Sequence, residues 1–313
     1  MKIICSEQSK RRYGAQIEPL NYDILTYSKE DLEKGSYPKE GDILIGALDL
    51  QKIDLSEIKG LQYIFLTSVG VDYLDRDLLM EKNITVTNAH GAYDDPIGEW
   101  ILYGLLQMEK RDRFNLALER EKNWKRRSHS GNIYGKKALF LGTGTIAQEG
   151  AKRLQAFKCE TVGYNTDGRK LEGFDRCISQ KELDQVLPEM DYVIMCLPET
   201  DKTYHFIDKK RIDQMKSGVK FVNISRGSTV NEKDLIQGLQ EGKIAGAALD
   251  VFETEPLPQD SPLWEMEEVY VYPHISFSCE DVKTREARAV IHNLKALLGE
   301  GELINVVDFD KGY

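Results

Sequence analysis

The chain has 313 residues, 41% of them hydrophobic, which is enough for two domains with sizeable cores. A formal net charge of −10 at pH 7 argues against nucleic-acid or anionic-membrane binding, and no segment approaches the roughly 18 apolar residues of a membrane span. The five cysteines show no CxxC spacing, so we expect no disulfide framework and no metal site, and reduced thiols favour a cytoplasmic location.

The N-terminal part of the chain alternates short β-branched runs with helical patterns, which is typical of successive βα units and a parallel sheet. Four strands are predicted there, at residues 2–5, 42–45, 63–66 and 85–88. An amphipathic helix should follow through Lys110, with Asp95 as its N-cap and Pro96 as its first helical residue. We expect a domain boundary at this point.

A second series of strands begins after this helix. Its predicted members are residues 137–141, 160–164, 192–196, 220–224, 245–249 and 269–272. Six strands with helices between them make a complete doubly wound sheet. A helical pattern from Asp281 to Leu298 follows and is expected to return to the first domain. The fold class is therefore α/β, with two Rossmann-like or flavodoxin-like doubly wound parallel-sheet domains and a cleft between them.

A glycine-rich turn follows the strand at residues 137–141. The turn reads Gly142-Thr143-Gly144-Thr145-Ile146-Ala147, a GxGxxA pattern that leads into a helix. Gly142 permits a tight turn, and Gly144 lets the backbone approach a pyrophosphate, which the unpaired N–H groups of the helix start would bind. The strands on both sides support this reading. Residues 142–146 are therefore predicted to bind a dinucleotide.

The end of the next strand bears on the choice of dinucleotide. An acidic residue there normally accepts the ribose hydroxyls of NAD, but Asn165 stands at that place, followed by Thr166 and Arg169. A neutral side chain with a nearby cation suits the 2′-phosphate of NADP. Asp167, by contrast, could accept the ribose hydroxyls of NAD or repel a 2′-phosphate. The predicted cofactor is NAD(P)(H), leaning toward NADP(H).

Three polar residues follow apolar runs near the C-terminal end. Arg226, Glu255 and His274 should each emerge from the end of a strand, where open α/β sheets bind ligands. A cation that grips a carboxylate, with a histidine whose charge a glutamate can tune, suits proton-coupled chemistry on a small acid. Taken alone, the arginine or the glutamate is more simply explained as a member of a surface ion pair, and the histidine as a structural residue. Their shared order favours function.

Together with these features, further motifs give the chain a family resemblance. They are Ser68-Val69-Gly70-Val71-Asp72, Cys196-Leu197-Pro198 with Thr203, Gly242-Lys243-Ile244, and Ser261-Pro262-Leu263-Trp264. The chain resembles the D-isomer-specific 2-hydroxyacid dehydrogenases over nearly its whole length. The resemblance implies a substrate domain of residues 1–96 plus 285–313, a dinucleotide-binding domain of residues 97–284, and a homodimer formed through the helix after Pro96.

The resemblance also implies roles for the polar residues. Arg226 would bind the substrate's carboxylate and polarise its keto oxygen, and His274 would give that oxygen a proton during reduction. Glu255 would pair with His274 and favour its charged form. Val69 and Gly70 would offer backbone N–H groups to the carboxylate.

The remaining implied contacts are to the cofactor. Asp250 would hold the nicotinamide carboxamide, and no metal would be needed. The other positions carried over by motif are Cys196, Leu197, Pro198, Thr203, Ile224, Ser225 and Ser276.

The implied reaction is hydride transfer between a nicotinamide dinucleotide and a small 2-oxo acid, giving the D-2-hydroxy acid, or the reverse. One alternative is an enzyme of the phosphoglycerate dehydrogenase type. A second is a dinucleotide-sensing binding protein like the corepressors that resemble this family. In each case we expect a small-molecule ligand and neither nucleic acid nor a membrane as partner.

Overall fold

The computed structural model describes residues 1–126 and 130–309. The chain divides into two compact units: unit 1 holds Met1–Tyr93 and the segment from Cys279 onward, and unit 2 holds Asp94–Ser278. Each unit is built around its own parallel sheet. Two residues with sequence-based interpretations lie outside the described residues: Arg127, which belongs to a basic run typical of a solvated helix end, and His129, expected to be a surface or packing residue.

Unit 1 contains a five-stranded sheet in the order β2-β1-β3-β4-β5. Its strands are β1 Lys2–Ser6, β2 Asp23–Tyr27, β3 Ile43–Gly46, β4 Tyr63–Leu66 and β5 Thr85–Thr87. Every pairing between them is parallel. This is the flavodoxin-like order, and β3 is buried along its whole length because helices cover both faces of a parallel sheet.

The helices of unit 1 connect these strands and close the chain. They are α1 Glu7–Ile17, α2 Lys29–Glu33, α3 Arg76–Glu81 and α10 Val282–Leu297. The last helix packs its buried Ala287, Val290 and Leu294 into the same core as Ile3 and Tyr13. The C-terminal helix therefore belongs to unit 1.

Unit 2 contains a seven-stranded parallel sheet in the order β12-β11-β10-β9-β6-β7-β8. Its strands are β6 Lys137–Leu141, β7 Glu160–Tyr164, β8 Arg176–Ile178, β9 Tyr192–Met195, β10 Val219–Asn223, β11 Ile244–Leu249 and β12 Val269–Val271. The chain order reverses between β6 and β9, which is the Rossmann-type switch point. Ligands of such sheets bind outside the carboxyl ends of the strands at that point.

Six helices in the described residues of unit 2 accompany this sheet. They are α4 Asp94–Lys110, α5 Asp112–Arg120, α6 Thr145–Ala156, α7 Leu183–Val186, α8 Lys209–Gln214 and α9 Glu232–Gln240. None of the helices in the described ranges is long and apolar enough to cross a membrane. The predicted cytoplasmic location stays a prediction.

The chain passes from unit 1 to unit 2 between residues 93 and 94 and returns between residues 278 and 279. The sequence placed these boundaries at 96/97 and 284/285. Helix α4 begins at Asp94, so the placement of Pro96 as its first residue was wrong; Pro96 is the third. The whole helix packs within unit 2, where a Cβ at Gly104 would lie 2.8 Å from the Cβ of Ala248. A helix that packs along its full length stays with one unit.

A buried ion pair anchors the end of α4 within unit 2. The carboxylate of Glu109, 5% exposed, lies 2.7 Å from the Nζ atom of Lys220. The hydroxyl of Tyr192 donates to the same Oε1 atom at 2.8 Å. Burial and this hydrogen bond raise the pKa of Tyr192. A carboxylate so buried needs these partners to offset its lost hydration.

Candidate active site

The loop after β10 presents Arg226. Asn223, the buried last residue of the strand, accepts hydrogen bonds at Oδ1 from the N–H and hydroxyl of Ser225, at 3.0 and 3.1 Å. Its Nδ2 donates to the carbonyl oxygen of Arg226 at 3.1 Å, and the hydroxyl of Thr229 donates to that oxygen at 2.7 Å. The backbone of Arg226 is therefore fixed by two buried side chains, and the residue as a whole is half-buried.

Gly227 brings this loop against the loop after β11. A Cβ at Gly227 would lie 1.9 Å from the carbonyl carbon of Phe252 and 2.4 Å from the nitrogen of Glu253. No side chain fits a backbone contact this close, so only glycine is compatible with it. The sequence between Phe252 and Glu255 is thereby held beside Arg226.

Glu255 and His274 form a hydrogen-bonded pair. The Nδ1 atom of His274 lies 2.9 Å from Oε2 of Glu255, and both side chains are 37% exposed. The other carboxylate oxygen accepts from the N–H of Phe252 at 3.1 Å. Since Nδ1 faces the carboxylate, Nε2 is the ring nitrogen left to exchange a proton with a ligand.

The surroundings of Glu255 keep its carboxyl group ionised. Burial alone would raise the pKa of Glu255, but the hydrogen bonds from His274 and Phe252, with the charges of His274 and Arg226, outweigh burial and lower the pKa from its ordinary 4.5. The pKa of Glu255 thus responds to both other members of the predicted trio. The structure brings the three predicted catalytic residues into one electrostatic neighbourhood.

Asp250 shapes the turn that carries His274. The backbone of His274 has φ +53°, a left-handed conformation that is uncommon for a residue other than glycine. Its N–H donates to the carbonyl of Asp250 at 2.9 Å. The carboxylate of Asp250, a residue 2% exposed, accepts from the N–H groups of Ile275 and Ser276 at 2.8 and 3.0 Å. Asp250 therefore holds the histidine turn, and its contact with a carboxamide stays a prediction.

The glycine turn has the geometry predicted for a phosphate site. Gly142 has φ +109°, and a Cβ there would lie 2.6 Å from the carbonyl oxygen of Cys196. At Gly144, the N-cap of α6, a Cβ would meet nothing within 4 Å. In the part of the chain that the structure describes, the N-cap Gly144 makes no side-chain cap hydrogen bond, and the first turn, which begins with Thr145 and Ile146, holds no acidic residue. Open space at a helix N-terminus that carries no negative charge fits a pyrophosphate.

The turn after β7 differs from the neutral site with a nearby cation that we predicted. The amide of Asn165 is buried and used internally: Nδ2 donates to the carbonyl of Arg169 at 3.0 Å, and Oδ1 accepts from Gly168 N–H at 2.7 Å. The guanidinium of Arg169 pairs with Asp167 at 3.0 Å. Thr166 is exposed. Asn165 therefore shapes the turn, and its neighbouring cation already has a carboxylate partner.

The loop after β9 carries further residues that are predicted to contact the cofactor. The hydroxyl of Thr203 donates to the carbonyl of Pro198 at 2.6 Å and closes the turn that begins with Leu197. Burial raises the pKa of the Cys196 thiol, which disfavours its thiolate form. Ile224, Ser225 and Ser276 lie at the carboxyl ends of β10 and β12, the same edge of the sheet.

A comparison with known families accounts for this arrangement. The model described as "D-isomer specific 2-hydroxyacid dehydrogenase, NAD binding domain" matches residues 104–276, more than half of the chain. The chain belongs to this family. The resemblance predicted from the sequence is thus confirmed, and so is the fold of two parallel-sheet domains.

Individual 2-hydroxyacid dehydrogenases are similar over most of the chain. A glyoxylate reductase of Thermofilum pendens is 31% identical over 88% of this chain and 83% of that protein. A D-3-phosphoglycerate dehydrogenase of Methanocaldococcus jannaschii is 31% identical over 86% of this chain but 52% of that protein. The crystal structure of a family member from Aeromonas salmonicida has a TM-score of 0.85, with 26% identity and 99% of both chains covered.

Family membership makes a nicotinamide dinucleotide the expected occupant of the glycine turn in unit 2. The residues fit it, because a Cβ at Gly144, the N-cap of α6, would meet nothing within 4 Å. In the described ranges no group of three or more His, Cys, Asp or Glu side chains could hold a metal ion.

Sequence reasoning missed the residues that hold the catalytic loops. Asn223, Thr229 and Gly227 were not singled out, although an asparagine two residues before a serine at a strand end is a known signal for a turn closed by its side chain. Val69 and Gly70 follow β4 in unit 1, half-buried. Their predicted contact with substrate stays a prediction.

Proposed function

We propose that the protein is an NAD(P)-dependent oxidoreductase that interconverts a small 2-oxo acid and its D-2-hydroxy acid. The observation that carries this proposal is the hydrogen-bonded Glu255–His274 pair, with Nδ1 of His274 2.9 Å from Oε2 of Glu255. A cation, a proton-bearing imidazole and its carboxylate partner meet the needs of carbonyl reduction. Family membership supports the reaction class.

The three side chains have distinct roles in this mechanism. A reduced nicotinamide dinucleotide would supply the hydride. Arg226 binds the carboxylate of the 2-oxo acid and polarises its keto oxygen. His274 holds at Nε2 the proton that this oxygen receives, and Glu255 stabilises the imidazolium through Nδ1. In the oxidation direction, His274 accepts the proton of the hydroxyl at the same nitrogen.

For the dinucleotide, the proposal leans toward NADP(H). Supporting it, Asn165 rather than an acid follows β7, and the side chain of Arg169 is 57% exposed and able to turn toward a 2′-phosphate. Against it, Arg169 must first leave Asp167. Michaelis constants for NADH and NADPH decide the matter, and a clear preference for NADH overturns this part.

A second candidate is a phosphoglycerate dehydrogenase type of enzyme. It is favoured by the similarity to the Methanocaldococcus jannaschii protein, of which this chain spans about half. This candidate uses the same Arg226, Glu255 and His274 and differs in the substrate.

We also propose that the protein is a homodimer formed through α4. Exposed apolar side chains on α4 and after it support this: Tyr103 and Leu116 are exposed, and Trp124 is 95% exposed. Sedimentation analysis should give twice the chain mass of 35.7 kDa, whereas a monomer at micromolar concentration contradicts the proposal.

The proposed function is tested by turnover. The protein is mixed with NADH or NADPH and with glyoxylate, hydroxypyruvate, pyruvate, branched 2-oxo acids or 3-phosphohydroxypyruvate, and nicotinamide absorbance is followed. Oxidation of the dinucleotide with at least one 2-oxo acid is expected, and 3-phosphohydroxypyruvate as the best substrate would select the second candidate. Tight dinucleotide binding without turnover on any of them overturns the proposal and favours a sensor.

A further inference from the structure

The loop after β4 in unit 1 has two amide groups without an internal acceptor. Within residues 1–126 and 130–309, no hydrogen-bond acceptor contacts the N–H of Val69 or of Gly70. Both residues are half-buried. Adjacent backbone N–H groups that are not used by the fold can bind an anion.

The carbonyl groups of the same peptides are anchored. The oxygen of Ser68 accepts from the N–H of Ala89 at 2.9 Å, and the oxygen of Val69 accepts from Nδ2 of Asn88 at 2.9 Å. In a planar trans peptide the C=O and the following N–H point in opposite directions. These two anchors therefore turn the N–H groups of Val69 and Gly70 away from the segment that holds Asn88 and Ala89.

Neighbouring contacts keep the loop in this orientation. The hydroxyl of Tyr93 donates to the carbonyl of Thr67 at 2.5 Å, and the hydroxyl of Ser68 donates to the carbonyl of Gly70 at 3.3 Å. Four consecutive carbonyl oxygens, from Thr67 to Gly70, thus accept hydrogen bonds from the protein. Among these donors, the side chain of Asn88 is the one that hydrogen-bonds to the carbonyl of the peptide joining Val69 to Gly70.

Asn88 is itself held at both ends. Its side chain is buried, and Oδ1 accepts from the N–H of His90 at 3.1 Å, so the amide cannot rotate freely. Asn305, in the segment after α10, donates from Nδ2 to the carbonyls of Asn88 and His90 at 3.2 and 2.9 Å. The N–H of Asn88 donates back to the carbonyl of Asn305 at 3.1 Å. The C-terminal segment thus braces the residue that orients the loop.

We propose that Asn88, braced by Asn305, is a positioning residue that presents the N–H groups of Val69 and Gly70 to the carboxylate of the substrate. This inference rests on the proposed function, because it assigns a 2-oxo acid to those groups. Without the Nδ2 donor, the peptide joining Val69 to Gly70 loses the contact that fixes its orientation. The expected loss is in capture of the acid, since His274 and the glycine turn are untouched.

The test uses Asn88→Asp, which keeps an oxygen for the N–H of His90 but has no donor for the carbonyl of Val69. With the best 2-oxo acid of the panel, KM should rise about tenfold or more while kcat changes less and the Kd of the dinucleotide is unchanged. Asn83→Asp is the matched control, because Asn83 is exposed in the same unit and the charge change is identical.

A second variant removes the brace without adding charge. Asn305 has φ +56°, so Asn305→Gly keeps the backbone conformation and deletes only the Nδ2 donor. Its KM should rise by about two- to fivefold with kcat nearly unchanged. This variant also decides the question if Asn88→Asp fails to fold.

The outcomes separate this inference from the proposed function. Wild-type turnover with unchanged KM in Asn305→Gly, or in a folded Asn88→Asp, overturns the positioning role and leaves the function standing. A fall in kcat at unchanged KM indicates a merely structural role and also overturns it. Absence of wild-type turnover overturns the function, and with it the assignment of a 2-oxo acid to Val69 and Gly70.

Discussion

At the residue scale, buried polar side chains hold the backbone that carries two of the proposed catalytic residues. Asn223 fixes the backbone that carries Arg226, and Asp250 fixes the left-handed turn of His274. Such support sets the geometry on which proton transfer depends. Variants of Asn223 or Asp250 should therefore alter catalysis without touching the reacting atoms.

The ionised state of Glu255 has a consequence for stability. The pKa of Glu255 is lower in the folded protein than its ordinary value of 4.5. The ionised carboxylate therefore stabilises the fold at pH values above 4.5, and this stabilisation is lost as the pH falls through the pKa of the folded state. Glu255→Gln should lower the melting temperature near neutral pH, and the difference from wild type should shrink in acid. Thermal unfolding at a series of pH values measures this.

A matched control for this prediction is Glu267→Gln, since Glu267 is exposed on the same unit. Its melting temperature should follow that of wild type at every pH. If the Glu255→Gln difference stays constant down to strongly acidic pH, the Glu255 carboxylate does not stabilise the fold in its ionised form.

The trio itself could be predicted from the sequence, because order along the chain and position after apolar runs are sequence properties. The supporting contacts could not. Whether Asn88 reaches the carbonyl of Val69, or Asn165 closes its own turn, depends on which backbone groups lie within 3 Å after folding. Asp167 and Arg169 stand two positions apart, yet their pairing also emerged only in the folded turn.

At the element scale, the strands at the centre of each sheet were predicted within about a residue, whereas two edge strands were missed. The edge strand β2 has an exposed first residue and a half-buried middle, so it lacks the continuous apolar run of a central strand. The other, β8, has only three residues. Unit 2 therefore has seven strands in its described residues, where six were predicted.

The glycine turn offers a prediction that separates folding from binding. Gly144→Ala should keep the melting temperature, since a Cβ there meets nothing within 4 Å, but should raise the Kd of the dinucleotide about tenfold or more by obstructing its phosphates. Isothermal titration of NADH and NADPH measures the change.

The comparison variant is Gly142→Ala. A Cβ at Gly142 would lie 2.6 Å from the carbonyl oxygen of Cys196 and the backbone has φ +109°, so this change should destabilise the fold by about 1–3 kcal/mol. Normal dinucleotide affinity in Gly144→Ala would mean that the phosphates lie elsewhere.

At the scale of the whole molecule, each unit has its own core, and the buried Glu109–Lys220 pair belongs to unit 2. Glu109→Ala leaves a mostly buried lysine without its carboxylate, so it should destabilise the protein by about 3–5 kcal/mol. In the Glu109→Ala variant, amide hydrogen exchange should be faster than in wild type mainly within residues 94–278.

The control for Glu109 is Glu99→Ala on the same helix. The carboxylate of Glu99 is 72% exposed and lies 3.8 Å from Arg153, so its removal should cost little. Equal effects of the two substitutions would show that burial of Glu109 does not matter for stability.

The central claim is that His274 gives a proton to the carbonyl oxygen of a 2-oxo acid. Its most direct test is the rate of dinucleotide oxidation by His274→Ala at saturating substrate, beside His292→Ala, whose exposed ring contacts only the carbonyl of Glu302 among the described hydrogen bonds. We predict that His274→Ala lowers kcat by a factor of about 10² to 10⁴ with unchanged Kd for the dinucleotide, and that His292→Ala matches wild type. A His274→Ala enzyme that turns over at the wild-type rate would contradict the account.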